Sequence, residues 1–176
     1  MYKWMLAVAS ALTVVAVSVT VHAQDDDERP DMRAKIVIDE ANGAQFTRPE
    51  GWVSGEAGKG VAAVFRAAGD RETQIEIRVS PHVKPDQSDY FFTSFHSNLQ
   101  KAGFEKQEVR KDADYGDKKG LETEYETSSK KRKFRLIVWQ YHHDESAFIV
   151  VGFFPSDARE RYYPDFQEII EQMVLE

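Results

Sequence analysis

Apolar and polar residues along this chain follow two periods, and the period changes where turn-forming residues stand. Residues 73–80 alternate, with Ile75, Ile77 and Val79 on one side and Glu76 and Arg78 on the other, the pattern of a strand with one buried face. Ile36 and Ile38 alternate with polar neighbours over 35–39, and Gln45-Phe46-Thr47 follows across Asn42-Gly43. That dipeptide supplies the positive φ angles of a tight hairpin turn, so the two segments are predicted to pair. A glycine-rich connection through Gly55, Gly58 and Gly60 then leads to a short strand at 61–65. Next the period lengthens. Phe91, Phe92, Phe95, Leu99 and Ala102 recur at helical spacing before Gly103, which predicts a helix over 88–102, capped by Asp86 or Ser88 and stopped by a left-handed glycine. His96 falls on the polar side of that helix and is expected to face solvent. Phe166, Ile169, Ile170 and Met173 mark a second helix, begun at Ser156 and bent or restarted at Pro164.

Three strands between the helices decide the architecture. Residues 119–128 set Leu121, Thr123 and Tyr125 against Glu122, Glu124 and Glu126. Residues 134–141 are apolar on both faces, with Leu136 and Val138 on one and Ile137 and Trp139 on the other, and 147–154 are apolar throughout. A strand with two apolar faces must be covered twice, whereas a row of glutamates predicts a face in water or near the sheet edge. The short turn at 142–145 permits only antiparallel neighbours, because parallel pairing needs a crossover of about a dozen residues or more. The fold class is therefore α+β: an α/β/α sandwich with a central, mostly antiparallel sheet of about five to seven strands and a helix on each face. Trp52, Phe95, Val138, Ile149 and Ile170 are predicted to lie in its core. No internal repeat appears, and one domain spans 34–176.

Composition adds a location. Of 176 residues, 41% are hydrophobic and 30% charged, as in ordinary globular proteins. Residues 4–23 form an apolar stretch behind Lys3 that ends in Val21-His22-Ala23, the pattern of a secretory signal peptide cut after Ala23. An uncleaved anchor is the alternative, since about 20 apolar residues can span a bilayer. Residues 24–33, with Asp25-Asp26-Asp27-Glu28 and Pro30, are too polar to bury surface and read as a flexible acidic arm. The expected destination is the periplasm or the exterior, without stable membrane insertion once the leader is cut. The net charge of −7 becomes one unit more negative when Lys3 leaves. That disfavours nucleic acid and anionic lipid, and suits a neutral or basic partner bound less tightly at high salt. There is no cysteine, which excludes thiolate catalysis, zinc–thiolate sites, iron–sulfur clusters and lipoprotein anchoring.

The order of motifs resembles a known superfamily. Phe46-Thr47-Arg48-Pro49-Glu50-Gly51-Trp52 opens it, followed by the strand ending in Phe65 and the aromatic helix ending in Leu99. Gly120-Leu121 with Glu124-Tyr125, then Ala147-Phe148-Ile149-Val150, and a final Phe166-x-x-Ile169-Ile170-x-x-Met173 complete the series. Over residues 44–173 this is similar to the PsbP/Mog/DcrB-type superfamily. The resemblance implies an α/β/α sandwich and mostly non-enzymatic proteins that dock on protein partners. It carries over no catalytic residue, and the lipidation cysteine of many bacterial relatives is missing here.

Candidate chemistry is sparse. His142-His143-Asp144-Glu145 offers imidazole and carboxylate ligands at a hairpin tip, suited to zinc, copper or nickel, yet adjacent strand residues point to opposite faces. Asp112-x-Asp114-x-Gly116-Asp117 departs from a calcium loop at the third ligand, the glycine and the bidentate glutamate, and reads as a turn. Gly55-x-x-Gly58-Lys59-Gly60 lacks the first glycine and the Ser or Thr of a P-loop. The three glutamates could act as paired carboxylates on a sugar. Their neighbour Lys130-Lys131-Arg132-Lys133 leads into the next strand, however, so cross-strand pairing explains both runs. His82 stands alone, and neither a nucleophile elbow nor a His-Glu-x-x-His helix occurs. The expected function is that of a non-catalytic exported protein, without cofactor, that binds an envelope protein partner or a small ligand. Its contacts are expected at Gly55, Gly58, Lys59 and Gly60, at His142, His143, Asp144 and Glu145, and along one sheet edge. A metal-assisted hydrolase using His142, His143 and nearby carboxylates is the alternative.

Overall fold

The computed structural model describes residues 37–39, 44–129 and 132–175. The leader, the acidic arm, the Asn42-Gly43 turn and Lys130-Lys131 lie outside them. The elements run β1 (Val37–Asp39), β2 (Ala44–Phe46), β3 (Trp52–Ser54), β4 (Ala63–Ala67), β5 (Gln74–Pro81) and α1 (Pro85–Lys101). Then follow β6 (Glu105–Tyr115), β7 (Lys118–Ser129), β8 (Arg132–His143), β9 (Ser146–Pro155), a 3₁₀ turn at Ser156–Ala158, α2 (Arg159–Gln172) and β10 (Val174–Leu175). Seven strands make one sheet in the order β3-β4-β5-β9-β8-β7-β6, antiparallel throughout. After β5 the chain crosses one face as α1, descends at the far edge as β6, and returns strand by strand until β9 closes against β5. A smaller sheet, β1-β2-β10, joins the two extremes of the fold, with β1 and β2 paired as the hairpin pattern predicts.

The alternation read from the sequence places two cores. On one face, Phe46, Phe65, Ile75, Ile77, Ile137, Trp139, Phe148, Val150 and Phe154 meet Tyr162, Phe166, Ile169 and Ile170 of α2. On the other, Phe92, Phe95 and Leu99 of α1 cover Tyr125, Leu136, Val138 and Ile149. Each helix thus covers one face of the antiparallel sheet, as the doubly apolar strands β8 and β9 require. All five predicted core residues, Trp52, Phe95, Val138, Ile149 and Ile170, are buried. Trp52 also donates its indole N–H to Asp165 Oδ2 at 2.8 Å, tying the short β3 to α2. Ile170 is fully enclosed, so Ile170→Ala is expected to cost about 3 kcal/mol through lost transfer energy and a residual cavity. Urea denaturation checks this; an unchanged midpoint would contradict the packing of α2.

Four local expectations need correction. First, the helix predicted over 88–102 starts earlier, at Pro85, and neither Asp86 nor Ser88 caps it. Lys84 stands at the N-cap, Gln87 reaches back to the Lys84 N–H, and the proline sits where a missing N–H costs nothing. Gly103, at φ 90°, ends the helix as predicted. Second, Ser156 opens a 3₁₀ turn rather than α2, whose N-cap is Ala158, and Pro164 lies within a helix that runs on through it. Third, the short strand of 61–65 lies at 63–67, as β4. Fourth, most of the segment that reads as an acidic turn belongs to β6. Asp112 and Asp114 are exposed strand residues, and only Gly116 and Asp117 form the turn.

β6 shows why. It is an edge strand held by main-chain bonds to β7, so it needs few apolar side chains, and among its described side chains only Ala113 and Tyr115 lie in the core. Two register shifts, between Lys106 and Glu108 and between Arg110 and Ala113, interrupt it. Bulges and alternating charge are the devices that keep an exposed edge from recruiting another strand. Among the described residues no helix is long and apolar enough to cross a membrane.

Candidate functional site

Strand directions bring the two nominated segments to the same end of the sheet. β3 and β4 are joined there by residues 55–62, β5 leads there into 82–84 and α1, and the β6–β7 and β8–β9 turns lie there as well. Three strand spacings, about 14 Å, separate β4 from β8. The 55–62 connection folds on itself through Gly55 N–H to Val64 O (2.8 Å) and Val61 N–H to Gly58 O (3.1 Å). Gly58, Lys59 and Gly60 are exposed and Gly55 is half-buried. A β-carbon at Gly55 would stand 3.0 Å from Val64 Cγ1, so the connection turns tightly against β4.

At the second segment the histidines part. His142 Nε2 lies 2.6 Å from the Val83 carbonyl, which it serves as donor, on the α1 side of β8. His143 is on the opposite side, stacked on Tyr141, with Nε2 3.6 Å from Asp144 Oδ2. Asp144 and Glu145 form the exposed turn, Asp144 with φ 50°, a left-handed conformation that aspartate tolerates better than most residues. The two imidazoles are therefore not placed on one ion. Among the described residues no group of three or more His, Asp or Glu side chains is arranged to hold a metal. Val83 N–H donates to Glu145 O at 2.9 Å, so the lead-in to α1 is pinned to this turn. Lys118 fastens the same end to α2, its ammonium meeting Asp117 Oδ1 (2.9 Å) and the Glu171 carbonyl (3.3 Å) near the helix C-terminus.

The glutamate row lies one strand from the sheet edge, as its pattern predicts, but it is not an open solvated face. α2 extends over it, and Glu122 is only 3% exposed. Tyr115 Oη donates to Glu122 Oε2 at 2.5 Å, and Tyr163 Oη donates to Glu122 at 2.9 and 3.1 Å. Arg110, half-exposed on β6, donates to Tyr163 Oη at 2.7 Å and approaches Glu122 Oε1 at 3.4 Å. Burial, and then the bond to Glu122, raises the Tyr115 hydroxyl far above the usual phenol range; burial also raises Tyr163. Both phenols thus stay protonated donors. The row continues with Arg135 and Arg159 on Glu124 at 3.3 Å each, and Lys133 (2.9 Å) and Arg135 (3.3 Å) on Glu126. The Arg159 guanidinium also lies 4.0 Å over the Tyr163 ring. Cross-strand charge pairing is present as predicted for Lys133, but Arg132 turns instead to Glu72 and Asp157. Every glutamate of the row is engaged and Glu122 is enclosed, so the arrangement holds α2 to β7 and leaves no paired carboxylates open to a sugar.

His96, expected in solvent, is half-buried between α1 and the sheet, with Nδ1 2.5 Å from Tyr125 Oη and Nε2 against Gln140 Oε1. Along the other flank of α1, an open cleft of about 460 Å³ is lined by Val83, Asp86, Phe91, Ser94 and Asn98, with Tyr90 on its rim 80% exposed. The cleft leaves no mark in the sequence, because Phe91 falls in the apolar stripe of α1 and Tyr90 breaks no period.

No known family profile and no curated protein matches the chain. Solved structures do. The solution structure of cyanobacterial PsbP (CyanoP) from Synechocystis is similar with a TM-score of 0.62 at 14% identity, over 89% of this chain and 99% of that one. A protein of unknown function from Pseudomonas aeruginosa, PA94, is similar with a TM-score of 0.51 at 13% identity, over 81% and 96%. A crystal structure from Bacteroides thetaiotaomicron is similar with a TM-score of 0.54 at 13% identity over 76% of this chain; the match spans 45% of that protein. The architecture is thus that of an α+β sandwich shared by bacterial proteins of dissimilar sequence. More particularly, the chain has the PsbP-like fold, the one its motif order resembles.

Proposed function

We propose that the chain is a non-catalytic exported protein that docks an envelope protein partner, or a small ligand, on the loop-bearing end of its sheet. The observation that carries this reading is the convergence of Gly55–Gly60 and His142–Glu145, nominated separately, on one end of a rigid antiparallel scaffold. The leader pattern at 1–23 supports export, and the negative net charge supports a neutral or basic partner. The glutamate row supports it in another way, because its carboxylates are occupied by internal donors. Of the two sheet edges, β3 is three residues long and β6 is interrupted and charged, so the turns offer the better contact surface.

Cross-linking in intact cells followed by mass spectrometry tests the proposal. A reproducible partner is expected, lost when Lys59→Glu and Glu145→Lys are combined, with the denaturation midpoint unchanged because both positions are exposed. Turnover of a substrate by the purified protein would refute the non-catalytic reading, and retention of the cross-links by the double variant would move the contact elsewhere.

A further inference from the structure

The contacts of α1 with the sheet are of two kinds. Its lead-in is anchored by main-chain and imidazole bonds, Val83 N–H to Glu145 O and His142 Nε2 to Val83 O. Its middle is held by apolar contacts of Phe92, Phe95 and Leu99 and by one polar node, His96. The partners of that node dictate its protonation. Gln140 Oε1 is an acceptor, so Nε2 carries the hydrogen, and Nδ1 presents its lone pair to the Tyr125 hydroxyl. A second proton on Nδ1 would set N–H against O–H. The phenol would have to turn its hydrogen away among Tyr125's buried apolar neighbours.

No carboxylate is placed to offset that cost. From β6 the charged group facing His96 is Lys106, which pairs in register with Tyr125 and is a cation. β7 contributes Tyr125 and buried Thr123 on this face, while Glu122, Glu124 and Glu126 lie on the other, as do Glu105 and Glu108 opposite them. β8 contributes neutral Gln140 and, farther along, His142, which donates to Val83. On α1 itself the nearer carboxylate, Asp89, is seven residues back, about 10 Å along the axis.

We propose that His96 is an acid-sensitive latch: neutral, it holds the middle of α1 on the β7–β8 face, and its protonation frees that segment while the Val83 anchor keeps the lead-in attached. Burial, ahead of the nearby Lys106 charge, lowers the pKa of His96 below the ordinary imidazole value, although the bond to Gln140 opposes this. The sign follows from linkage. The unfolded chain takes up the proton near its usual value of about 6.5, before the folded one does. The latch is therefore fully closed above about pH 6.5 and weakens as pH falls through the lower folded value. Release would uncover Phe92, Phe95 and Leu99 and the strand residues beneath them.

The test is an NMR titration of the full mature protein, following the His96 ring protons and the hydrogen-exchange protection of α1 and β9 amides between pH 7.5 and 5. His96 is expected to titrate below 6.5, with protection of residues 92–101 falling several-fold relative to β9, and this selective loss should vanish in His96→Gln. A His96 that titrates at or above 6.5, or α1 protection that tracks β9 throughout, would overturn the latch. Both readings come from the unmodified protein, so the outcome stands even if the variant folds poorly.

Discussion

Gly120→Ala is expected to lower stability by about 4 kcal/mol and to disturb the environment of Trp139. A β-carbon at Gly120 would lie 2.2 Å from Trp139 Nε1 and 2.3 Å from Cε2. The indole has nowhere to go. It is fully buried, lies 5.4 Å from the stacked Tyr141 ring and 6.1 Å from Tyr115, and its N–H is committed to Ala113 O at 2.9 Å. Overpacking costs about 1 to 3 kcal/mol in such a core, and a buried donor left without its acceptor costs about as much again. Urea denaturation read by tryptophan fluorescence gives the answer, and a wild-type midpoint would mean that Trp139 does not lie under β7 as described. The glycine here serves close approach rather than a turn, for β7 passes over the indole.

Glu122→Ala should cost a comparable amount, about 4 kcal/mol, for a different reason. It removes the acceptor shared by Tyr115 and Tyr163 and leaves two phenol donors to find partners where α2 meets β7. Removing one member of a buried charged network is worth about 3 to 5 kcal/mol, and the half-exposed Arg110 places this case within that range rather than above it. Glu122→Gln retains one acceptor oxygen but presents an amide N–H₂ to the other phenol, so it should recover only part of the loss. Tyr163→Phe should be milder still, since Tyr115 keeps its 2.5 Å bond. Thermal or urea denaturation of the three variants ranks them. Equal stability of Glu122→Ala and wild type would return the glutamate row to the solvated face that its alternation suggests.

That row marks where the sequence stops being informative. Alternation reports that Glu122, Glu124 and Glu126 share a face, but what covers the face is decided by Tyr115 and Tyr163, 48 residues apart. Neither belongs to a period that points at Glu122. His96 fails in the same way: it flanks the apolar stripe of α1, and its partners come from residues 125 and 140 on two strands. β5, β8 and β9 were legible because burying one or both faces imposes a period of two, and α1 because three phenylalanines and a leucine recur at helical spacing. β6 was not, since an edge strand held by its main chain has no need of apolar side chains. The predicted contact segments were found as turns, from glycines and polar clusters. Their meeting at one end of the sheet depends on strand order, which local pattern does not encode.

The small sheet β1-β2-β10 has a further consequence in a chain without cysteine. Gln45 pairs with Val174, closing a ring of about 130 residues, whose closure entropy is on the order of 4 to 5 kcal/mol. Two paired residues alone do not offset that; the burial of Phe46 and Met173 in the α2-side core does. The sheet is thus a non-covalent cross-link in the place a disulfide would take, and the first and last strands stand or fall together. A backbone nick in the exposed stretch 56–60 would accordingly leave two pieces clasped at two separate seams, β2 on β10 and β3 on β4, instead of releasing an end.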